Sequence, residues 1–578
     1  MAIWYIGNTS VRSAFRLRDG LVALSSSHLQ GNIRKQEGDR AFRDLLGQHG
    51  IVSLGTDATN SVGRKWRSAL GKLGFLYPEI PRSSDIRQED IGALDTITPN
   101  GWRLIRSETV PAMQECFLRA LAAQFIEIEV SGGEKIWFSP LRHTLAILLE
   151  IERKTGEASI SFIEMALFVQ TTSSADDKNA ITDNILNFRN ERNDVESKRR
   201  FDNLKYNEIA DLHSLKASTF RDYADANFRY LKATGLVQNK GKGIALVHEK
   251  RYFSELMAND TSVPTSELER YRSMCNGANL PTDSQDAAFE VLQDLLGQLS
   301  SMGIPFDLRG KSTDTPADIA IIRHEIEDII FKVKEEIYAS EQAEQWEEIA
   351  AYIDLIASRR ERKRIDEETE IVIPRSETPA YLEWVLWRAF LAIDSLTNKP
   401  YEARRFKIDQ DFLPVGTAPG NGPDLIMEFE NFVIVIEVTL TENSRQEAAE
   451  GEPVRRHVAD LMNHYTEKNG KPVYGLFIAN NIDSNTAETF RIGVWYSRND
   501  EKMSLSIIPI TIAQFNIFFR ALFINSRANP QEVINLMNEC EQHRDRCEVL
   551  KISSSVSELI SPVVNNLLYM LSFMDMEA

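Results

Sequence analysis

Asp424 and Glu437 are the residues whose placement points most directly to chemistry. Pro423-Asp424 opens a strand-like run at 425–429, and a strongly apolar β run at 432–439 carries Glu437 in its interior. Their separation of 13 residues suits adjacent strands of one hairpin. Two carboxylates at the ends of paired strands offer hard oxygen ligands to one Mg2+ and leave coordination positions for water and a phosphate. An acid inside such an apolar run is informative alone, because an unpaired buried carboxylate is costly. It calls for a metal or a cationic partner. Many strands end in Asp or Glu only for solubility or a salt bridge, so the surroundings decide. A Gly/Pro-rich approach (PVGTAPGNGPD), the apolar strand and the later alternation at 473–479 and 507–512 agree on a mixed sheet flanked by helices.

The elements that would position these groups begin well upstream. Pro374 and Pro379 precede a helix, AYLEWVLWRAFLAI, which sets Glu383 among bulky apolar neighbours. Before it, residues 284–364 read mostly as long amphipathic helices, with Ile319, Ile322, His324, Ile326, Ile329, Ile330 and Val333 on roughly one face. This stretch is expected to be a helical spacer. Cys540, His543 and Cys547 share a helical face, but no fourth ligand follows and zinc is set aside.

The chain has 578 residues, enough for about three to five structural units, and at 43% hydrophobic and 26% charged it has the composition of a soluble globular protein. No run approaches the roughly 18–20 apolar residues of a membrane helix, and the start has no signal-peptide pattern. A cytoplasmic protein without membrane association is expected. Four cysteines do not make a disulfide framework. The net charge of −19 argues against a polyanionic partner until its distribution is read. Residues 1–250 hold 34 Lys+Arg against 31 Asp+Glu, leaving from totals of 66 and 85 only 32 against 54 for residues 251–578. The acidity lies in the second part, and the first can meet DNA locally.

One pattern recurs in that first part. Residues 37–49 form a helix with Phe42, Leu45 and Leu46 on one face. Thr59-Asn60 would cap a second helix ending at Gly74, and Phe75-Leu76-Tyr77 and a returning segment at 96–101 follow. This is the order of a winged helix-turn-helix. Further on, helices at 141–150, 161–170, 181–192 and 219–234 precede hairpin strands around NKGKG. A helix so placed enters the major groove while a basic wing meets phosphate. The candidate contacts are Arg64, Lys65, Arg67 and Lys72 in the first module and Arg221, Arg229, Lys240 and Lys242 in the second. Winged helices also bind proteins, and most surface cations only solvate.

Over almost its whole length the sequence resembles the AlwI-type type IIS restriction endonucleases and their nicking relatives. The matching segments are FSPLRHTLAILLEIE, NILNFRNER, DYADANFRYLKATGLV, YLEWVLWRAF, GNGPDLIMEFENFVIVIEVT and EGEPVRRH; the run from Gly420 to Thr439 with the following Glu-Pro-Val-x-Arg-His is the specific part. The resemblance implies a multidomain α+β protein. Winged-helix recognition modules would occupy 1–130 and 131–255, a helical linker 256–372, and an α/β restriction-endonuclease-like cleavage domain with a Pro-Asp … Glu-x-Lys core 373–578. It implies a Mg2+-dependent enzyme that binds a short asymmetric site in double-stranded DNA and cuts at a fixed distance outside it. A transient homodimer through the cleavage domain and a cognate DNA methyltransferase would be its partners. The family's acidic cluster falls on Glu383, Asp424, Glu437 and Glu450, with Glu452 the alternative register for the last. Asp424 and Glu437 would be the metal ligands. Thr439 stands where the wider pattern has Lys, and Arg455, Arg456 and His457 are the nearby candidates for the missing group. The alternative reading is a DNA-binding regulator with an inactive nuclease-like domain; retention of all four carboxylates favours the enzyme.

Overall fold

The computed structural model describes residues 3–11, 13–52, 61–129, 133–365, 370–442, 445–468, 470–497 and 500–546. The chain forms two compact units, Met1–Ile330 and Phe331–Ala578. The division falls inside the helix Pro316–Ser340, so residues 256–372, expected as a linker, are shared between the two. Among the described residues no helix is long and apolar enough to cross a membrane. The Thr59-Asn60 cap, Cys547 and the side chain of His543 lie outside the described residues.

The first unit is mainly helical. Helices Lys35–Gln48 and Ser61–Lys72 pack through Phe42, Leu46, Trp66 and Leu70. Residues 75–77 then pair with 95–98: Tyr77 N–H donates to the Thr96 carbonyl at 3.0 Å and Thr98 N–H to that of Phe75 at 3.1 Å. The expected returning segment ends there. Thr98 caps a helix, Pro99–Arg106, with Gly101 N–H donating to its Oγ1, because Thr followed by Pro at the first helical position is a helix start.

Further along, helix Ala217–Ala233 buries Phe220, Ala224 and Leu231 on one stripe. Gly235, at φ +72°, ends it in the left-handed conformation. Strands Val237–Lys240 and Gly243–Leu246 follow as a hairpin whose turn uses Gly241 at φ +53°. With Ser159–Ser161 they form a three-stranded antiparallel sheet that has Gly243–Leu246 at its centre. A helix that the sequence did not announce, Lys198–Leu212, precedes Ala217–Ala233; it buries only Tyr206 and Ala210, too few to print a stripe. The N-terminal segment is sewn onto this region, with Trp4 Nε1 donating to the Thr172 carbonyl at 2.7 Å and Ile6 N–H to Asn227 Oδ1 at 2.8 Å.

The second unit is built on a four-stranded sheet. Its strands are β1 (Leu425–Glu428), β2 (Val433–Thr439), β3 (Val473–Ala479) and β4 (Ser506–Thr511), in spatial order β4-β3-β2-β1. β1 and β2 form an antiparallel hairpin, whereas β2, β3 and β4 are parallel. The parallel strands read as near-continuous apolar runs because both faces are covered. On one face, Ile434, Ile436, Leu476, Ile478, Ile508 and Ile510 pack with helix α1 (Thr378–Ile393). On the other, Val433, Val435, Val473, Phe477 and Ile507 pack with Val454 and Val458 of helix α2 (Arg445–Lys468). Every residue of α1 from Ala380 to Ile393 is buried, as expected of a helix that is apolar on all sides.

Gly475 lets α2 lie close on the sheet. A Cβ there would stand 2.9 Å from Val458 Cγ2 and 3.0 Å from Ile507 Cγ1. Gly475→Leu should therefore lower stability by about 1–3 kcal/mol through overpacking. Gly297, an exposed residue inside the helix Gln285–Ser301, meets nothing within 4 Å. Gly297→Ala should instead raise stability by about 0.5–1 kcal/mol. Urea denaturation of both variants beside wild type checks the opposite signs.

Candidate active site

Backbone register brings the two central carboxylates together. Leu425 pairs with Ile436, so one step along the same antiparallel ladder sets Asp424 opposite Glu437. Alternation puts both on the face covered by α2, together with Ile426, Val433 and Val435. Asp424 Oδ2 accepts a 2.8 Å hydrogen bond from Val438 N–H, which fixes the carboxyl at the strand end. Glu437 is only 8% exposed. Glu383 arrives from α1, 5% exposed, with its Oε2 accepting from Ala418 N–H at 2.7 Å. Glu450 and His457 lie two turns apart on α2, hence on one face.

None of these four carboxylates forms an ion pair with Lys or Arg among the described residues. The consequence shows in their protonation. Burial, then the neighbouring charge of Asp424, pushes Glu383 far above the usual carboxylate range. Burial, then Glu437 and Glu450, does the same to Asp424. Burial and Glu450 push Glu437 to about 8, although Arg405 and Arg456 pull the other way. Glu450 thus acts on both central carboxylates, whereas Glu452 is turned to Arg456 at 3.0 Å on the surface. The register that names Glu450 is the one the fold brings to the cluster.

Glu428, at the far end of β1, shows what a purely structural acid looks like here. It accepts from Lys471 Nζ at 2.8 Å and from Tyr465 Oη at 2.9 Å. Burial alone would raise it, but these two partners bring it below its ordinary value. Asp424 has no such partners.

His457 approaches Glu437 with Nδ1 2.6 Å from Oε1. Burial and the nearby Arg456 hold its pKa below the usual imidazole value. Nε2 is buried without a hydrogen-bond partner. Thr439 cannot supply the charge of the Lys it replaces, and its Oγ1 accepts from Thr441 N–H at 3.0 Å. Arg455 is turned away, donating to the carbonyls of Gly451 and Val494. Arg405, which the sequence reading did not single out, is the other cation that acts on Glu437 and His457.

Among the described residues no group of three or more His, Cys, Asp or Glu side chains is placed to hold a metal ion. Two hard carboxylates at a strand end, unneutralised by the protein, nevertheless fit an ion that takes its remaining ligands from water and phosphate.

The expected DNA contacts divide into two kinds. Arg64, Lys65 and Lys242 are exposed. Lys72 lies over the Tyr5 ring and donates to its hydroxyl, Arg221 stacks on Tyr206 and donates to Asn203 Oδ1, and Lys240 pairs with Glu157 at the hairpin. Arg67 and Arg229 are committed internally. Arg67 pairs with Asp39 and donates to the Ile33 carbonyl, and Arg229 pairs with Asp225 and donates to the carbonyls of Val11 and Thr9. Those partners hold the fold, which removes both arginines from the set of free cations.

A family model described as AlwI restriction endonuclease matches residues 71–518. No curated protein matches the chain. Among solved structures, the small subunit R.BspD6I2 of the heterodimeric restriction endonuclease R.BspD6I is 23% identical, over 39% of this chain and 98% of its own, with a TM-score of 0.27. The BpuJ1 endonuclease binding domain, solved with pyrene- and phenanthrene-modified DNA, is 14% identical over 48% and 96%, with a TM-score of 0.30. Restriction endonuclease FokI is 10% identical over 93% and 99%, with a TM-score of 0.24. Superpositions this loose carry no argument.

The raised carboxyls make stability depend on pH. A carboxyl whose pKa is higher in the folded chain than in the unfolded one holds its proton more tightly when folded. Its contribution is present in full below the ordinary value of 4.5 and is lost as pH rises, until the folded group has ionised, at about 8 for Glu437. In EDTA the urea midpoint should fall from about pH 5 to about pH 8.5, and Glu383→Gln should flatten the slope. Equal slopes for variant and wild type would show that Glu383 does not share the cluster's charge.

Proposed function

The chain belongs to the AlwI restriction endonuclease family and is a type II site-specific deoxyribonuclease; on that premise we propose that Asp424 and Glu437 hold the catalytic Mg2+, with Glu383 and Glu450 completing the acidic site. The observation that carries this reading is the row of buried carboxylates at one end of the β1–β2 hairpin, left without a Lys or Arg partner while Glu428 on the same strand has one. When bound, the metal lowers the pKa of a water and neutralises phosphate charge. The chain's own part is positioning. Val438 N–H orients Asp424, Ala418 N–H orients Glu383, and His457 Nδ1 holds Glu437 by a 2.6 Å hydrogen bond.

Recognition is assigned to the first unit. Helix Ala217–Ala233, followed by the hairpin bearing Lys240 and Lys242 and a third strand from Ser159–Ser161, has the arrangement of a winged helix, with the hairpin as wing. Exposed Arg64 and Lys65 on the helix Ser61–Lys72 make the corresponding contact in the earlier module. The type IIS reading follows from placing recognition and cleavage in different units. Among the described residues one such acidic site is found, and opposite DNA strands run with opposite polarity, so cutting both strands calls for a second copy. A DNA methyltransferase with the same site specificity would protect the host.

Two experiments test this. Asp424→Asn should reduce cleavage of plasmid in Mg2+ by roughly a hundredfold to a thousandfold or more while site-specific binding and melting temperature hold. A variant that folds and cuts at the wild-type rate would exclude Asp424 as a ligand. Separately, a fragment comprising residues 1–330 should bind the recognised site, lose affinity steeply as salt rises, and cleave nothing. Binding without site preference would place recognition elsewhere.

A further inference from the structure

Arg404 and Arg405 are neighbours with opposite fates. The backbone of Arg404 forms an antiparallel bridge with Leu425, and its side chain makes a bidentate pair with the fully buried Glu335, at 2.6 and 2.8 Å. That is a structural arginine. One step along the same bridge sets Arg405 opposite Asp424, as Asp424 is opposite Glu437. Residues opposite one another in antiparallel pairs share a face. Arg405, Asp424 and Glu437 therefore form one row across three adjacent chain segments, on the face covered by α2.

The Arg405 side chain is held in this row without being neutralised. Nη2 donates to Asn421 Oδ1 at 2.7 Å and Nη1 to the Pro423 carbonyl at 3.2 Å. The guanidinium lies against Gly422, where a Cβ would stand 2.8 Å from its Cζ and overlap Nη1. A side chain there would displace the end of the arginine. Arg405 forms no ion pair among the described residues, and two of its five N–H donors account for these bonds. Its charge is felt at Glu437 and His457.

We propose that Arg405 is a catalytic residue, contacting a non-bridging oxygen of the scissile phosphate and supplying from the neighbouring segment the positive charge that Thr439 cannot. Hydrolysis forms one P–O bond from water and breaks one P–O ester bond; a water proton is lost and the departing oxygen takes one up. Arg405 changes neither bonds nor protonation and meets only the charge that builds on the phosphate oxygen. The proposal rests on Asp424 and Glu437 being the metal ligands, and the test separates the two.

The test compares full-length wild type, Arg405→Gln, Arg405→Lys and Asp424→Asn by single-turnover cleavage, by DNA affinity, and by the rise in melting temperature on adding Mn2+. Gln removes the charge while keeping N–H donors on a shorter side chain. Arg405→Gln should cleave roughly a hundredfold to a thousandfold more slowly, with DNA affinity and the Mn2+ rise unchanged, and Arg405→Lys should recover part of the rate. Arg405→Gln within about threefold of wild type overturns the proposal. So does loss of the Mn2+ rise along with cleavage, because the arginine would then only brace the segment that carries Asp424. Asp424→Asn cutting at the wild-type rate would instead sink the metal-ligand reading, and this proposal with it.

Discussion

A set of carboxyl groups drawn out of water without a Lys or Arg ion-pair partner is the constraint around which the second unit is arranged. Removing a carboxylate from water is costly unless a partner replaces the lost solvation. Elsewhere in this unit the requirement is met inside the chain: Glu335 has Arg404 and Glu428 has Lys471. Around Asp424, Glu437 and Glu383 the neighbouring carboxylates instead raise proton affinity: Asp424 and Glu437 act on Glu383, Glu437 and Glu450 on Asp424, and Glu450 on Glu437. The destabilisation is confined to one end of one hairpin, and the apolar layers on both faces of the sheet offset it. An ion arriving there would find the unfavourable terms already assembled and would relieve them on binding. Its affinity would come from repulsion that the fold has stored as well as from direct ligation.

Precision in the site derives from backbone ladders more than from side-chain packing. A one-residue slip of β1 against β2 would move Asp424 to the opposite face, and the paired residues Leu425–Glu428 and Val433–Ile436 are locked by burial on both sides. Helix α2 is tied in by Gln446, whose Nε2 donates to the carbonyls of Thr441 and Asn481 while its Oε1 accepts from Asp483 N–H. One amide thereby holds the loops following β2 and β3 at the start of the helix that delivers Glu450 and His457. The close approach at Gly475 then sets how far those side chains reach. Site geometry and core packing are the same set of contacts, and neither relaxes without the other.

This explains which parts were legible in the sequence. Asp424, Glu437 and the hairpin could be read because Pro-Asp, a short turn and an apolar run are local signals. The N-terminal hairpin around Gly241 was legible for the same reason. Glu383 stands out as an acid in an apolar helix, but its meeting with Asp424 depends on how α1 crosses the sheet, which no local pattern encodes; the family resemblance supplied it. Arg405 was invisible because the bridge from Arg404 to Leu425 is non-local. Proximity in sequence pointed to Arg455, which the helix turns toward Val494. Among the candidate DNA contacts, charge alone could not separate exposed Arg64 from Arg67, since Asp39 comes from another helix. The helix Lys198–Leu212 escaped because a helix that buries two side chains prints almost no periodicity.

Electrostatics also bears on the proposal that recognition and cleavage belong to different parts of the chain. Residues 251–578 carry 32 Lys+Arg against 54 Asp+Glu. A surface so acidic repels a polyanion at distances up to the Debye length, about 10 Å in 0.1 M salt, and long-range attraction cannot bring it to DNA. On the proposed reading, a bound cation and Arg405 would reverse the sign at the hairpin end, within contact range. Such a site engages a phosphate weakly until something else holds the duplex nearby. The near-neutral first region, with 34 Lys+Arg against 31 Asp+Glu and its exposed cations on a helix and a hairpin tip, has the opposite character. A nuclease built this way would be nearly inert toward DNA that it has not first recognised, and that restraint follows from charge distribution without a dedicated inhibitory contact.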